Sequence, residues 1–135
     1  MFKELASQKL QQAGFKLTQP RLQLIDFFHT HKVAVSPYDI VKAQPELDVV
    51  SMYRTIEILE SLHLIHKIWS LGGYVRCNLP EDKHCEENCC HEFQVCTNCK
   101  EYKEMHGHHK HNVSTGTFQI NQHISEQIGV CSKCK

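Results

Sequence analysis

The sequence predicts an α+β chain: a winged helix-turn-helix over residues 1–78, then a small α/β domain over residues 79–135 held by a four-cysteine zinc site. Three observations carry this reading. Four segments of helical periodicity precede a two-strand pattern in the first half. Seven of the eight cysteines and seven of the eleven histidines fall after residue 78. Two C-x2-C pairs, "CTNC" at 96–99 and "CSKC" at 131–134, punctuate the second half.

The helices follow in order. "FKELASQKLQQAGF" sets Phe2, Leu5, Ala6, Leu10 and Ala13 on one stripe, with Gly14 positioned to stop it. "LTQPRLQLIDFFHTH" starts a second helix with Thr18 as N-cap and Pro20 in the first turn, where no amide is missed. Its apolar rhythm runs through Leu22, Ile25 and Phe28 or His29. "SPYDIVKAQ" has Ser36 and Asp39 at capping-box spacing and Pro37 at the first helical position. In "SMYRTIEILESLHLI", Met52, Ile56, Leu59 and Leu62 form the apolar stripe opposite Tyr53, Arg54, Glu57 and Ser61. "LIHKIWSLGGYVRC" then alternates over 64–69 and 74–77 around "SLGG", the pattern of a β-hairpin.

Helices followed by a hairpin is the order of a winged helix-turn-helix, whose last helix enters the major groove with its N-terminal polar residues toward base edges. Ser51, Tyr53, Arg54 and Thr55 are then candidate base readers on double-stranded operator DNA, and Lys16 and Arg21 candidate phosphate contacts. Taken alone, a Tyr-Arg pair on a polar helix face reads as solvated surface. Charge does not decide between the two. The net charge is zero, tilting from +2 over residues 1–78 (nine Lys/Arg less seven Asp/Glu) to −2 over 79–135 (six less eight).

At 135 residues the chain has room for one ordinary domain or two very small ones. A core built from about seventy residues is marginal without a metal or a partner subunit. No apolar run approaches the roughly eighteen residues of a membrane span, and "MFKELASQKL" lacks the layout of a signal peptide. A cytoplasmic address without membrane contact is expected. There, eight cysteines read as metal ligands or redox groups rather than a disulfide framework.

Each C-x2-C pair chelates from a tight turn, and Cys96, Cys99, Cys131 and Cys134 together complete a tetrahedral thiolate site for Zn²⁺. The 31 residues between the pairs exceed a simple zinc ribbon, so a small fold must sit between them. "EFQVC" and "EYKEM" read as strands around the first knuckle, and "FQINQHISEQIGVC" carries further strand-like alternation. A thioredoxin-like redox motif is the alternative, but no helix N-terminus follows Cys96 to lower its pKa. Cys77, Cys85, Cys89 and Cys90 remain, with His66, His84, His91, His106, His108, His109, His111 and His123. A closed structural site needs none of them, so either a second site or a loosely binding His/Cys loop is implied.

Together "GFKLTQPRLQLIDFF", "VSMYRTIEILESLHLI", "CTNC" and the terminal "CSKC" resemble the ferric uptake regulator family of bacterial metal-sensing repressors, over essentially the whole chain. The resemblance implies a winged-helix domain, an α/β dimerisation domain, and a homodimer that grips palindromic operators only when a regulatory metal is bound. "HLIHKIWSLGGYVRC" resembles the zinc uptake branch, in which a histidine leaves the recognition helix and a cysteine ends the wing. That implies a regulatory Zn²⁺ on His66, Cys77, His91 and Glu104. "NLPEDKHCEENCCHEF" is longer than the usual linker, so His84, Cys85 or Cys89 stand as substitutes for His91.

A third family site would fall on Cys90, Glu92, His111 and His123, against the alternative of solvated histidines in "HGHHKHN". Iron and peroxide sensors keep histidines where this chain has Phe93 and Ala34, and the family commonly has glycine where His63 ends the recognition helix. The expected function is a zinc-responsive repressor of zinc-uptake genes, with an iron- or peroxide-responsive regulator as the alternative. No HExxH-type element or substrate-pocket signal supports a zinc hydrolase, so neither enzyme activity nor a small-molecule substrate is expected. A purely structural zinc module would leave Tyr53, Arg54 and His66 unexplained.

Overall fold

The computed structural model describes residues 2–78, 89–106 and 122–135, with backbone alone at 89, 90, 106, 122 and 123. The chain forms two compact units, Met1–Cys77 and Asn78–Lys135.

The first unit contains α1 (Phe2–Gln12), α2 (Gln19–Thr30), α3 (Pro37–Ala43), α4 (Val49–Ser61), β1 (Ile65–Ile68), a 3-10 turn (Trp69–Leu71) and β2 (Gly73–Arg76). Ala6 and Leu10 of α1 bury against Leu24, Ile25, Phe27, Phe28, Ile40, Met52, Ile56 and Leu59. Gly14 stops α1 at φ +86°, with Phe15 N–H donating to Leu10 O at 2.9 Å and Gly14 N–H to Gln11 O at 3.0 Å. Ala13 lies past the last helical residue, Gln12, and is exposed.

Helix α2 departs from the expected stripe. It packs against α1, α4 and β2, so Leu24 and Phe27 join Ile25 and Phe28 inside, while Leu22 is 38% exposed. Thr18 occupies the N-cap position without a side-chain cap hydrogen bond. Helix α3 opens on the expected capping box: Asp39 N–H donates to Ser36 Oγ at 3.1 Å and Ser36 N–H to Asp39 Oδ2 at 2.9 Å. Helix α4 begins at Val49, two residues ahead of the polar–apolar pattern, because the Asp48 carboxylate accepts the Ser51 N–H at 2.9 Å.

The hairpin pairs Ile65 with Arg76, His66 with Val75, Lys67 with Tyr74 and Ile68 with Gly73. Val35, just ahead of α3, adds a single antiparallel bridge to β2. Its N–H donates to Tyr74 O at 3.0 Å, and Tyr74 N–H returns a bond to Val35 O at 2.8 Å. The two glycines of the turn serve different ends: Gly72 takes φ +65°, whereas a Cβ at Gly73 would lie 2.9 Å from the Val35 carbonyl carbon.

The second unit is a three-stranded sheet of β3 (Cys89–Cys96), β4 (Tyr102–His106) and β5 (Gln122–Gly129), in the order β4-β3-β5. β4 runs antiparallel to β3, and β5 runs parallel to it, with Cys89 opposite Gln122 and Cys96 opposite Gly129. The parallel pair requires a crossover, and residues 107–121 lie outside the described ones. No described helix is long and apolar enough to cross a membrane.

Candidate metal centres and nucleic-acid interface

Parallel pairing explains how two C-x2-C pairs separated by 31 residues meet. β3 and β5 end side by side at Cys96 and Gly129, and Thr97 N–H extends the ladder to Gly129 O at 2.9 Å. Both knuckles therefore emerge from one end of the sheet. The first closes with Lys100 N–H on Cys96 O at 3.0 Å, and puts Lys100 at φ +68°.

The four sulfurs of Cys96, Cys99, Cys131 and Cys134 lie within 4.8 Å of one another, with Cys99 Sγ 3.7 Å from Cys131 Sγ. A tetrahedron with Zn–S bonds of about 2.3 Å has edges of about 3.8 Å, so the donor set fits zinc in kind and spacing.

The Cys96 thiol is drawn down to about 6 by the backbone N–H of Cys99, then that of Cys131, at 3.5 and 3.4 Å from its sulfur. The sequence foresaw no donor there; the knuckle amides supply it. Cys99 is pushed up to about 12: the Glu101 amide draws it down, but its hydrogen bond to Cys96, desolvation and its other sulfur neighbours outweigh that. Four thiolates this close are stable together only around a cation.

Each unit also carries a buried pair of potential ligands outside the knuckles. In the first, Cys77 N–H donates to Leu64 O at 2.8 Å, which extends the β1–β2 ladder by one rung. Side chains alternate along a strand, so Cys77 shares a face with His66, whose cross-strand partner is Val75. A His66 ring nitrogen lies within 4.8 Å of Cys77 Sγ, and both residues are buried.

In the second unit, His91 pairs with His106 and Phe93 with Glu104, so His91 and Glu104 are diagonal neighbours on one face. His91 Nδ1 and Glu104 Oε1 are 2.7 Å apart, and neither side chain is more than 1% exposed. The other carboxylate oxygen accepts Asn78 N–H at 2.8 Å, from the residue that follows Cys77 in the chain. Phe93 is fully buried, stacked near His91 with ring centroids 6.4 Å apart and edge-on to Tyr102.

Of the proposed third set, Glu92 is half-buried on β3, whereas His111 and the side chains of Cys90 and His123 lie outside the described residues. The same holds for His84, Cys85 and the side chain of Cys89.

On α4, Tyr53 is half-exposed and Arg54 exposed. Ser51, beside them, donates its hydroxyl to Asp48 Oδ2 at 3.0 Å. Thr55 corrects the sequence reading: it is 2% exposed and its hydroxyl donates to Ser51 O at 2.8 Å, so it packs on the core side and cannot reach a base edge. Lys16 is exposed. Arg21 donates to Lys16 O at 2.7 Å and lies over the Phe15 ring at 5.5 Å, which fixes its guanidinium beside Lys16.

A winged helix followed by a sheet unit with a thiolate cluster is the make-up of a metal-responsive DNA-binding regulator. The model of the ferric uptake regulator family matches residues 12–127, and the chain belongs to that family. It is accordingly a metal-responsive regulator and not an enzyme. It is 26% identical over 137 residues to the ferric uptake regulation protein of Neisseria meningitidis serogroup A, covering 94% of this chain and 91% of that protein. Its fold matches holo XcZur with a TM-score of 0.79 at 20% identity, over 98% of this chain and 95% of that one. It also matches a zinc uptake regulator complexed with zinc and DNA, with a TM-score of 0.75 at 23% identity, over 98% and 94% of the two chains.

Proposed function

We propose that the chain is a Zn²⁺-responsive repressor of zinc-uptake genes, acting on operator DNA as a metal-bound homodimer. The observation that carries this is Cys77, a buried thiol outside both C-x2-C pairs that shares one hairpin face with the buried imidazole of His66. Thiolate with imidazole suits Zn²⁺, whereas carboxylate-rich oxygen sites suit Mn²⁺ and similar harder ions. In this reading His66, Cys77, His91 and Glu104 form the regulatory site, and Cys96, Cys99, Cys131 and Cys134 hold a second, structural zinc. Phe93 supports zinc over iron, since the position of the second iron-sensor histidine holds a buried ring with no donor atom. One fold neighbour is itself a zinc uptake regulator complexed with zinc and DNA.

Bound zinc would supply a tetrahedral cross-link among its ligands. His66 and Cys77 belong to the DNA-binding unit, His91 and Glu104 to the other, and four donors reach one point in only one arrangement. Ligation therefore selects that arrangement from those the free protein populates. Within the second unit, the Asn78 amide holds the Glu104 carboxylate in place. The selected arrangement sets the two recognition helices of a dimer at operator spacing. Ser51, Tyr53 and Arg54 then face the bases, with Lys16 and Arg21 on phosphate.

The test is metal content per subunit before and after mild chelation, measured beside binding to a duplex that the protein selects from random sequence. Two zincs, with one lost on chelation together with DNA binding, is the expected result. A single zinc and no metal-dependent binding would instead indicate a structural module. Tighter binding with iron than with zinc would make the protein an iron regulator.

A further inference from the structure

Glu104 is the one carboxylate in the proposed regulatory set, and its two oxygens meet different groups. Oε1 lies 2.7 Å from His91 Nδ1, whereas Oε2 accepts the Asn78 main-chain N–H at 2.8 Å. The side chain is packed as well as bonded. It is 1% exposed, it stands on β4 opposite the fully buried Phe93, and His91 is its diagonal neighbour on the same face. A carboxylate held at both oxygens and enclosed by its neighbours turns only by giving up a contact.

Its orientation matters to metal choice, because a carboxylate can offer an ion one oxygen or both. One oxygen, with two imidazoles and a thiolate, completes the four-coordinate tetrahedral set that Zn²⁺ adopts. Both oxygens raise the coordination number and enrich the site in oxygen, which suits Mn²⁺ and other hard ions. The donor types already lean toward zinc. What remains to be controlled is their number, and partners outside the ligand set commonly exert that control. An ion held through Oε1 gains Oε2 only if the carboxylate swings that oxygen off the Asn78 N–H.

We propose that the Asn78 main-chain amide sets metal selectivity: it engages Oε2, keeps Glu104 a one-oxygen ligand, and so restricts the regulatory site to four-coordinate ions. Asn78 is a positioning residue, acting through Glu104 and with its backbone rather than its side chain. This inference rests on the regulatory-site reading given above.

The experiment compares Asn78→Ala, which keeps the N–H, with Asn78→Pro, which removes it. Cys77 already continues the strand ladder, the extended backbone that a following proline favours. Each full-length protein, with its structural zinc retained, is titrated with Zn²⁺, Mn²⁺ and Co²⁺ in competition with a chelator. Bound Co²⁺ reports coordination number, since its visible absorption is intense when four-coordinate and weak when higher-coordinate. Asn78→Ala should match the parent protein in spectrum and in metal preference. Asn78→Pro should lose about half or more of the visible Co²⁺ intensity and narrow the preference for Zn²⁺ over Mn²⁺ about tenfold, the low end of what a lost partner of a metal ligand costs. If Asn78→Pro fails to fold or dimerise, an ester in place of the 77–78 peptide bond, installed by ligation at Cys77, removes the same N–H without the ring and carries the same expectation.

A Co²⁺ spectrum and metal preference unchanged once the N–H is gone would overturn the selectivity role and leave the zinc-responsive reading intact. Asn78→Ala behaving like Asn78→Pro would place the effect in the side chain and overturn it equally. If the parent protein takes up no metal beyond its structural zinc, the regulatory-site reading itself fails and this inference with it, a separate and recognisable outcome.

Discussion

His63 sits at φ +59°, in the left-handed region that glycine enters at no steric cost. Its N–H donates to Glu60 O at 3.0 Å and Leu64 N–H to Leu59 O at 2.9 Å, the same pair of bonds by which Gly14 ends α1. A side chain in this conformation costs about 1–2 kcal/mol. His63→Gly should therefore raise the stability of the first unit by about 0.5–1 kcal/mol, after the entropy glycine adds to the unfolded chain. Urea unfolding followed by the helical circular dichroism band would detect this, and an unchanged or lower midpoint would mean that the histidine side chain compensates for its backbone. In the proposed function, Arg54 and Lys16 divide the DNA work at the same scale. Arg54→Ala should cost roughly 1–3 kcal/mol per half-site and relax the preference at one base, whereas Lys16→Ala should weaken specific and random duplexes alike. Equal losses on both duplexes for Arg54→Ala would refute that division. The polarity pattern alone told Tyr53 and Arg54 from the core face, but it could not place Thr55. A threonine is short enough to satisfy its hydroxyl on the preceding turn and bury its methyl, and only the Ser51 O bond reveals that choice.

At the level of elements, what the sequence displays best is what it encodes locally. The capping box at Ser36 and Asp39, the glycine stop after α1 and the hairpin around "SLGG" each depend on a few adjacent residues, and all three stand in the fold. Helix α2 was harder to read. Its core face depends on three neighbours at once, so a single stripe through Leu22 underestimated how much of the helix is covered. The parallel pairing of β3 with β5 was not legible, because register between segments over 30 residues apart leaves no local trace. That pairing is nevertheless what unites the knuckles. Cys96→Ser should remove a zinc that resists mild chelation and unfold or monomerise the second unit, since structural zinc contributes on the order of 10 kcal/mol to small folds. Zinc content with size-exclusion mass measurement is the check. A metal-depleted Cys96→Ser protein that stays folded and dimeric would show that the sheet stands without its clasp.

For the whole molecule, the question is how a bound ion alters affinity for DNA, and Cys77 is the residue that isolates it. It ends the wing hairpin of the first unit, and Asn78 after it begins the second. It also lies outside both knuckles, so replacing it leaves the structural donor set complete. Cys77→Ser should keep one zinc per subunit and the dimer, yet lose zinc-dependent operator binding. Taking an operator from almost empty to almost fully occupied requires up to about 5.5 kcal/mol of differential metal affinity between the two arrangements. A serine hydroxyl is a far poorer zinc ligand than a thiolate, and the loss of one of four ligands removes an energy of that size. His66→Ala and Glu104→Ala should act in the same direction, with Glu104→Ala also releasing the Asn78 amide and His91 from their shared carboxylate. The measurement is duplex affinity across a buffered zinc series, with metal content and oligomeric state recorded for each variant. If Cys77→Ser binds its operator at the wild-type zinc concentration, regulation must instead draw on Cys85, Cys89 or Cys90.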